Sequence, residues 1–114
     1  MEKVAKVMIL RTIGFMNEVP PNLQARIIEY TLKHISPKTD MVVFYPHRVN
    51  PHYEDDDRTF ITFMDGLTKK VYAKLDDFGE PSEWNKLYEP ETVKTLREAP
   101  NCRYTITFML AEEY

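Results

Sequence analysis

Thr59-Phe60-Ile61-Thr62-Phe63-Met64-Asp65-Gly66-Leu67-Thr68-Lys69-Lys70-Val71-Tyr72-Ala73-Lys74-Leu75 is the stretch on which the fold class turns. Two runs rich in β-branched and aromatic residues flank Asp65-Gly66. That dipeptide favours a two-residue hairpin turn in which both central residues take positive φ. The expected register pairs Met64 with Leu67, Thr62 with Lys69, Phe60 with Val71 and Arg58 with Ala73. One face of this hairpin, with Phe60, Val71, Ala73 and Leu75, then belongs to a core. The other sets Ile61, Phe63 and Tyr72 beside Thr59, Thr68, Lys70 and Lys74.

Downstream, Cys102, Tyr104, Ile106, Phe108 and Leu110 alternate with Arg103, Thr105, Thr107 and Met109, the period of a strand. Upstream, Asp40 to Tyr45 reads as a short buried strand closed by Pro46, and Val4 to Ile13 as a first strand broken by Gly14. Leu23, Ile27, Ile28, Tyr30, Leu32 and Ile35 recur at three- and four-residue intervals. They predict an amphipathic helix over about 21–35, begun by Pro21 and stopped by Ser36-Pro37. A short helix is expected near 90–99, with Val93 and Leu96 facing inward. The expectation is a single α+β domain over 1–114 with two layers. It has an antiparallel or mixed sheet of about five strands and the long helix packed on one face.

Composition fits one core. The chain has 114 residues, 43% hydrophobic and 29% charged, which suits a globular domain and not a disordered one. Its longest apolar run, Val7 to Leu10, is far short of a bilayer span, and the mixed charges of Met1 to Lys6 do not resemble a signal peptide. A cytoplasmic protein with no membrane association is expected. Cys102 stands alone, which excludes an internal disulfide framework and a multi-cysteine zinc site. Gly14, Gly66 and Gly79 lie too far apart for a glycine-rich phosphate loop.

Catalytic chemistry has few candidates. Cys102 falls on an apolar strand face with no adjacent histidine to lower its pKa, and Ser36 and Ser82 precede helix or turn signals that suit capping. Pro46 to Asp57 holds His47, His52 and a run of acids, and His47, His52 and Asp55 form an alternative metal ligand set for a metal-dependent enzyme. The two histidines are not at helical spacing, and the segment is expected to be a solvated loop with no metal or other cofactor.

Two surfaces invite partners. Lys69, Lys70 and Lys74 with Tyr72, Phe63 and Ile61 combine cations and rings as single-strand platforms do. The formal net charge of −3 works against phosphate binding, so nucleic acid is not the expected partner. Residues 76–91 concentrate Asp76, Asp77, Glu80, Glu83, Glu89 and Glu91 against Lys86 alone, interspersed with Phe78, Trp84, Leu87 and Tyr88. Aromatic anchors with an acidic rim suit protein recognition. The leading expectation is a non-enzymatic protein-binding module whose contact residues are Trp84, Tyr88, Phe78, Asp76, Asp77 and Glu80. An inhibitor that occupies a basic, nucleic-acid-binding or defence protein of a host is the alternative.

Met109-Leu110-Ala111-Glu112-Glu113-Tyr114 resembles the Met-Leu-Leu-Ala-Glu-Glu-Tyr ending of the domain of unknown function 960 family, small proteins of Gram-positive bacteria and their mobile elements. Arg11-Thr12-Ile13-Gly14 through Glu18-Val19-Pro20-Pro21-Asn22-Leu23-Gln24 resembles that family's Thr-Arg-Gly…Glu-Ile-Pro…Leu-Gln opening. Asp40 to Phe44 and Glu80-Pro81-Ser82-Glu83-Trp84 are similar to its later strand and its Glu-Glu-Pro-Glu-Tyr stretch. Pro46 to Asp57 and Glu89 to Asn101 depart from the pattern. The resemblance implies a phage- or plasmid-linked accessory protein acting on a host protein, and it carries over no catalytic residue.

Overall fold

The computed structural model describes residues 7–114. Val4 to Lys6, the start of the expected first strand, lie outside the described residues. The elements are β1 (Val7–Arg11), α1 (Ile13–Glu18), α2 (Pro21–His34), β2 (Met41–Tyr45), β3 (His52–Glu54), β4 (Thr59–Phe63), β5 (Val71–Asp77), α3 (Trp84–Leu87), α4 (Pro90–Glu98) and β6 (Tyr104–Leu110). They form an α+β fold around a six-stranded mixed sheet of order β1-β6-β5-β2-β4-β3. β1 runs parallel to β6 and β2 parallel to β4, while the remaining neighbours are antiparallel.

The Asp65-Gly66 hairpin is corrected. β4 and β5 do not pair; β2 lies between them, with Val43 opposite Ile61 on one side and Tyr72 on the other. A turn does form, closed by Leu67 N–H donating to the Met64 carbonyl at 3.3 Å. Only Gly66 has positive φ, at 98°, while Asp65 keeps a negative one. The twist-matched hairpin turn needs both positive, and without it the flanking strands splay apart. Residues 64–70 therefore arch over the end of β2, where Met64 N–H donates to the Tyr45 carbonyl at 3.1 Å. Gly66 is needed on two counts. A Cβ there would stand 3.2 Å from Leu23 of α2, at a φ that side chains disfavour.

One sheet face makes the main core. Val42, Phe44, Val71, Ala73, Ile106 and Phe108 have no exposed surface and meet Phe15 of α1 and Leu23 and Ile27 of α2. Each large apolar side chain buried this way contributes about 1.5–3 kcal/mol. The alternation along β5 and β6 assigns these residues to that face as expected. α2 begins at Pro21, but Leu32 is 46% exposed and belongs to its outer side. α1 was not expected. Thr12 caps it by accepting from Phe15 N–H at 3.2 Å, and the helix ends before Pro20.

The segment expected to be a polar loop holds the short edge strand β3 and a tight turn to β4. Asp55, Asp56 and Asp57 in that turn all have positive φ, a conformation that Asp tolerates better than most residues. α4 matches the short helix expected near 90–99. It packs on α3 beyond the Asp77 end of β5, and Trp84, Val93 and Leu96 there form a second, separate cluster. The Cα radius of gyration is 15.0 Å, against about 13 Å for a compact chain of this length. An appendage at one end of a two-layer slab accounts for the difference.

Candidate binding surfaces

The appendage is built around Trp84. Its indole is fully buried among Val93, Leu96, Phe78 and Tyr88. Its Nε1–H donates to the carbonyls of Phe78 at 3.1 Å and Gly79 at 3.0 Å, and the Tyr88 hydroxyl donates to the same Phe78 carbonyl at 2.9 Å. The Arg97 guanidinium covers the indole 5.4 Å from its centroid. Three sequence-derived contact residues, Trp84, Tyr88 and Phe78, are thus brought together, but as a small core. Trp84 reaches a partner only by holding the surface in shape.

The acids divide into tethered and free groups. The Asp77 carboxylate accepts from Arg103 Nε at 2.7 Å and Nη2 at 3.0 Å, and Arg103 Nη1 donates to Glu80 at 3.1 Å. Arg103, followed by the Gly79 backbone N–H, holds the Asp77 carboxyl below its usual range; the same bonds raise the guanidinium pKa. Asp76 accepts from Lys74 at 2.5 Å. Asp76, Asp77 and Glu80 are therefore occupied within the chain. Outside them lie exposed Glu89, Glu91 and Glu98, together with Glu83, which pairs with Lys86 at 3.7 Å, and Leu87 of α3 is 58% exposed.

The opposite end of the sheet carries a different arrangement. On the face away from α1 and α2, the register sets Tyr45 and Phe63 in one row, with Lys70 beside Tyr45, and Met109, Tyr72, Val43 and Ile61 in the next. Val43, Ile61 and Met109 belong to neither helix-covered cluster. Flanking side chains shield them instead. Lys70 Nζ lies 4.8 Å from the Tyr45 ring centroid and 5.3 Å from that of Tyr72, and the Arg48 guanidinium lies 4.9 Å over Phe63. His47 leans on Tyr45 at 5.0 Å, and Tyr114 meets Tyr72 edge-on at 5.4 Å. Partial burial opposes the charge on Lys70, but its contacts with Tyr72 and Tyr45 outweigh it and its pKa is raised. The sequence anticipated Ile61, Phe63, Tyr72, Lys70 and Lys74 on one face and missed Tyr45 and Arg48. Lys69 turns elsewhere, to Glu18 at 3.0 Å and Glu112 at 3.2 Å.

The alternative metal set does not assemble. His52 directs Nδ1 to the Asn50 carbonyl at 2.7 Å and Nε2 to Glu54 at 2.9 Å, contacts that raise its pKa, while His47 lies tilted against Tyr45. Asp55 stands in the tight turn, its carbonyl accepting from Arg58 N–H at 3.0 Å. Among the described residues no three His, Cys, Asp or Glu side chains could hold a metal ion. Cys102 is buried, its thiol directed at the Tyr104 carbonyl.

A contact that sequence reasoning missed joins the start of α1 to the segment that follows β6. Glu113 accepts from the Thr12 hydroxyl, from Gly14 N–H at 3.0 Å and from Leu110 N–H at 2.9 Å. The Thr12 bond, then the backbone donors, hold its carboxyl below the usual value. A Cβ on Gly14 would come within 2.6 Å of that carboxylate.

Comparison with protein-family models, curated proteins and solved structures finds no match to this chain. None of the described helices is long and apolar enough to cross a membrane.

Proposed function

We propose that the chain is a protein-binding accessory module, not an enzyme, and that it contacts a partner bearing a basic patch through the outer surface of the appendage. The observation that carries this reading is the division of labour around Trp84. The indole cluster fixes two short helices, and at their starts and along them Glu83, Glu89, Glu91 and the side chain of Leu87 are exposed. An apolar centre with a charged rim is the usual anatomy of a recognition patch. Residues 76–98 hold seven acids against three bases, so the patch keeps its sign after Asp77 and Glu80 are neutralised by Arg103.

The resemblance to the domain of unknown function 960 family gives this module a setting, a phage- or plasmid-linked protein of the cytoplasm acting on a host protein. Two of the resembling segments meet in space, where Glu113 seats against Thr12 and Gly14. The test is partner capture from the native host with the natural chain and with a Leu87→Asp/Glu91→Lys variant of equal melting temperature. A partner held by the natural chain, released by the variant and weakened steeply by salt supports the reading. Retention of every partner by the variant contradicts it.

A further inference from the structure

We propose that the sheet face bearing Tyr45, Phe63 and Tyr72 binds single-stranded nucleic acid. Bases stack on these rings, and Arg48 and Lys70 engage the phosphates. This surface lies at the end of the sheet away from the appendage and is independent of the protein contact assigned there.

Four observations converge on it. The rings stand on three neighbouring strands, β2, β4 and β5, whose spacing of about 4.8 Å suits successive unstacked bases. All three rings are half-buried, each fixed by its strand and covered by side chains, Phe63 by Arg48, Tyr45 by Lys70 and His47, and Tyr72 by Lys70 and Tyr114. Arg48 and Lys70 rest over these rings, and among the described residues neither has a carboxylate within ion-pair distance. Two carboxylates of this face are engaged further down it, Glu54 with His52 and Asp76 with Lys74. The upper row of the face is thus a cationic site on a chain of net negative charge.

The chemistry favours a strand of nucleotides over an apolar protein surface. An apolar partner laid on the rings would strip water from Arg48 and Lys70 and leave them unpaired, which is costly. A single strand supplies both missing partners. Each cation swings from ring to phosphate while a base takes its place on the ring, so no charge is stranded. A duplex keeps its bases stacked inside and offers only phosphates.

The test uses the intact protein with a fluorescently labelled homothymidine oligomer of about 12 nucleotides, and a duplex of the same length, read by anisotropy. The single strand is expected to bind in preference to the duplex. With two phosphate contacts, raising salt from about 50 to 200 mM should weaken binding about sevenfold. Arg48→Glu/Lys70→Glu and Tyr72→Ala should each weaken it about tenfold or more, the first melting close to the natural chain and the second a few degrees lower while still folded at the assay temperature. Amide shift changes in the unaltered protein should fall on Val43, Ile61 and Tyr72. The proposal is overturned by no binding at about 50 mM salt, by equal affinity for duplex, or by shift changes confined to α2 or the appendage. Unchanged affinity in a folded Arg48→Glu/Lys70→Glu variant overturns it as well.

Discussion

The two ends of this molecule are made of the same ingredients arranged in opposite senses. In the appendage the Trp84 ring is fully buried, with half-buried Phe78 and Tyr88 packed against it, and the nearest acids are tied to Arg103. At the Tyr45 end the rings stay half open and the cations have only those rings for partners. Aromatic side chains beside charges are therefore no guide to function until their exposure is known. Closed rings organise a surface; open rings are one.

That contrast breaks first under truncation. Trp84→Ala removes a fully buried indole with two hydrogen bonds and should cost about 3–5 kcal/mol, seen as local melting of α3 and α4 by hydrogen exchange. Tyr72→Ala, which cuts back a half-exposed ring, should cost about 1 kcal/mol in denaturant unfolding. Similar costs at both sites would erase the distinction.

A smaller effect separates the charges. Arg103→Gln should return the Asp77 carboxyl towards its ordinary value near 3.8, read by carbon-detected titration, with a small loss of stability because solvent screens the pair. Because the folded-state pKa of Asp77 is depressed, its contribution is present above about pH 3.8 and is lost as pH falls through the lower folded value. The stability gap between natural chain and variant should therefore narrow on acidification and stay flat at neutral pH. Smallest of all, Lys70→Glu and Leu87→Asp should each leave stability within about 0.5 kcal/mol, since neither side chain is buried in a core.

How much of this was legible in the sequence depends on the range of the interactions involved. Alternation along β5 and β6 located Val71, Ala73, Ile106 and Phe108 in the core because one face of each strand is helix-covered. The separation of β4 from β5 was not legible, because turn chemistry at Asp65-Gly66 is local and the insertion of β2 is not. A signal for it was present. Val42, Val43 and Phe44 form an unbroken apolar run, buried on both faces, as suits a strand with neighbours on each side. β3, with three exposed residues, and α1, with Gly14 inside it, are too short to impose a period. For the binding surfaces, composition located both clusters of rings and charges but was silent on which way they face. The spacing Trp84–Tyr88 and Val93–Leu96, one helical turn each, was the clue that the appendage rings meet one another.

Photochemically induced nuclear polarisation with a flavin dye reads both ends at once, since it labels only Trp and Tyr rings that the dye reaches. Tyr114, 68% exposed, provides the internal reference. The account predicts signals from Tyr45 and Tyr72 and silence from Trp84. A strong Trp84 signal with Tyr45 and Tyr72 dark would contradict it.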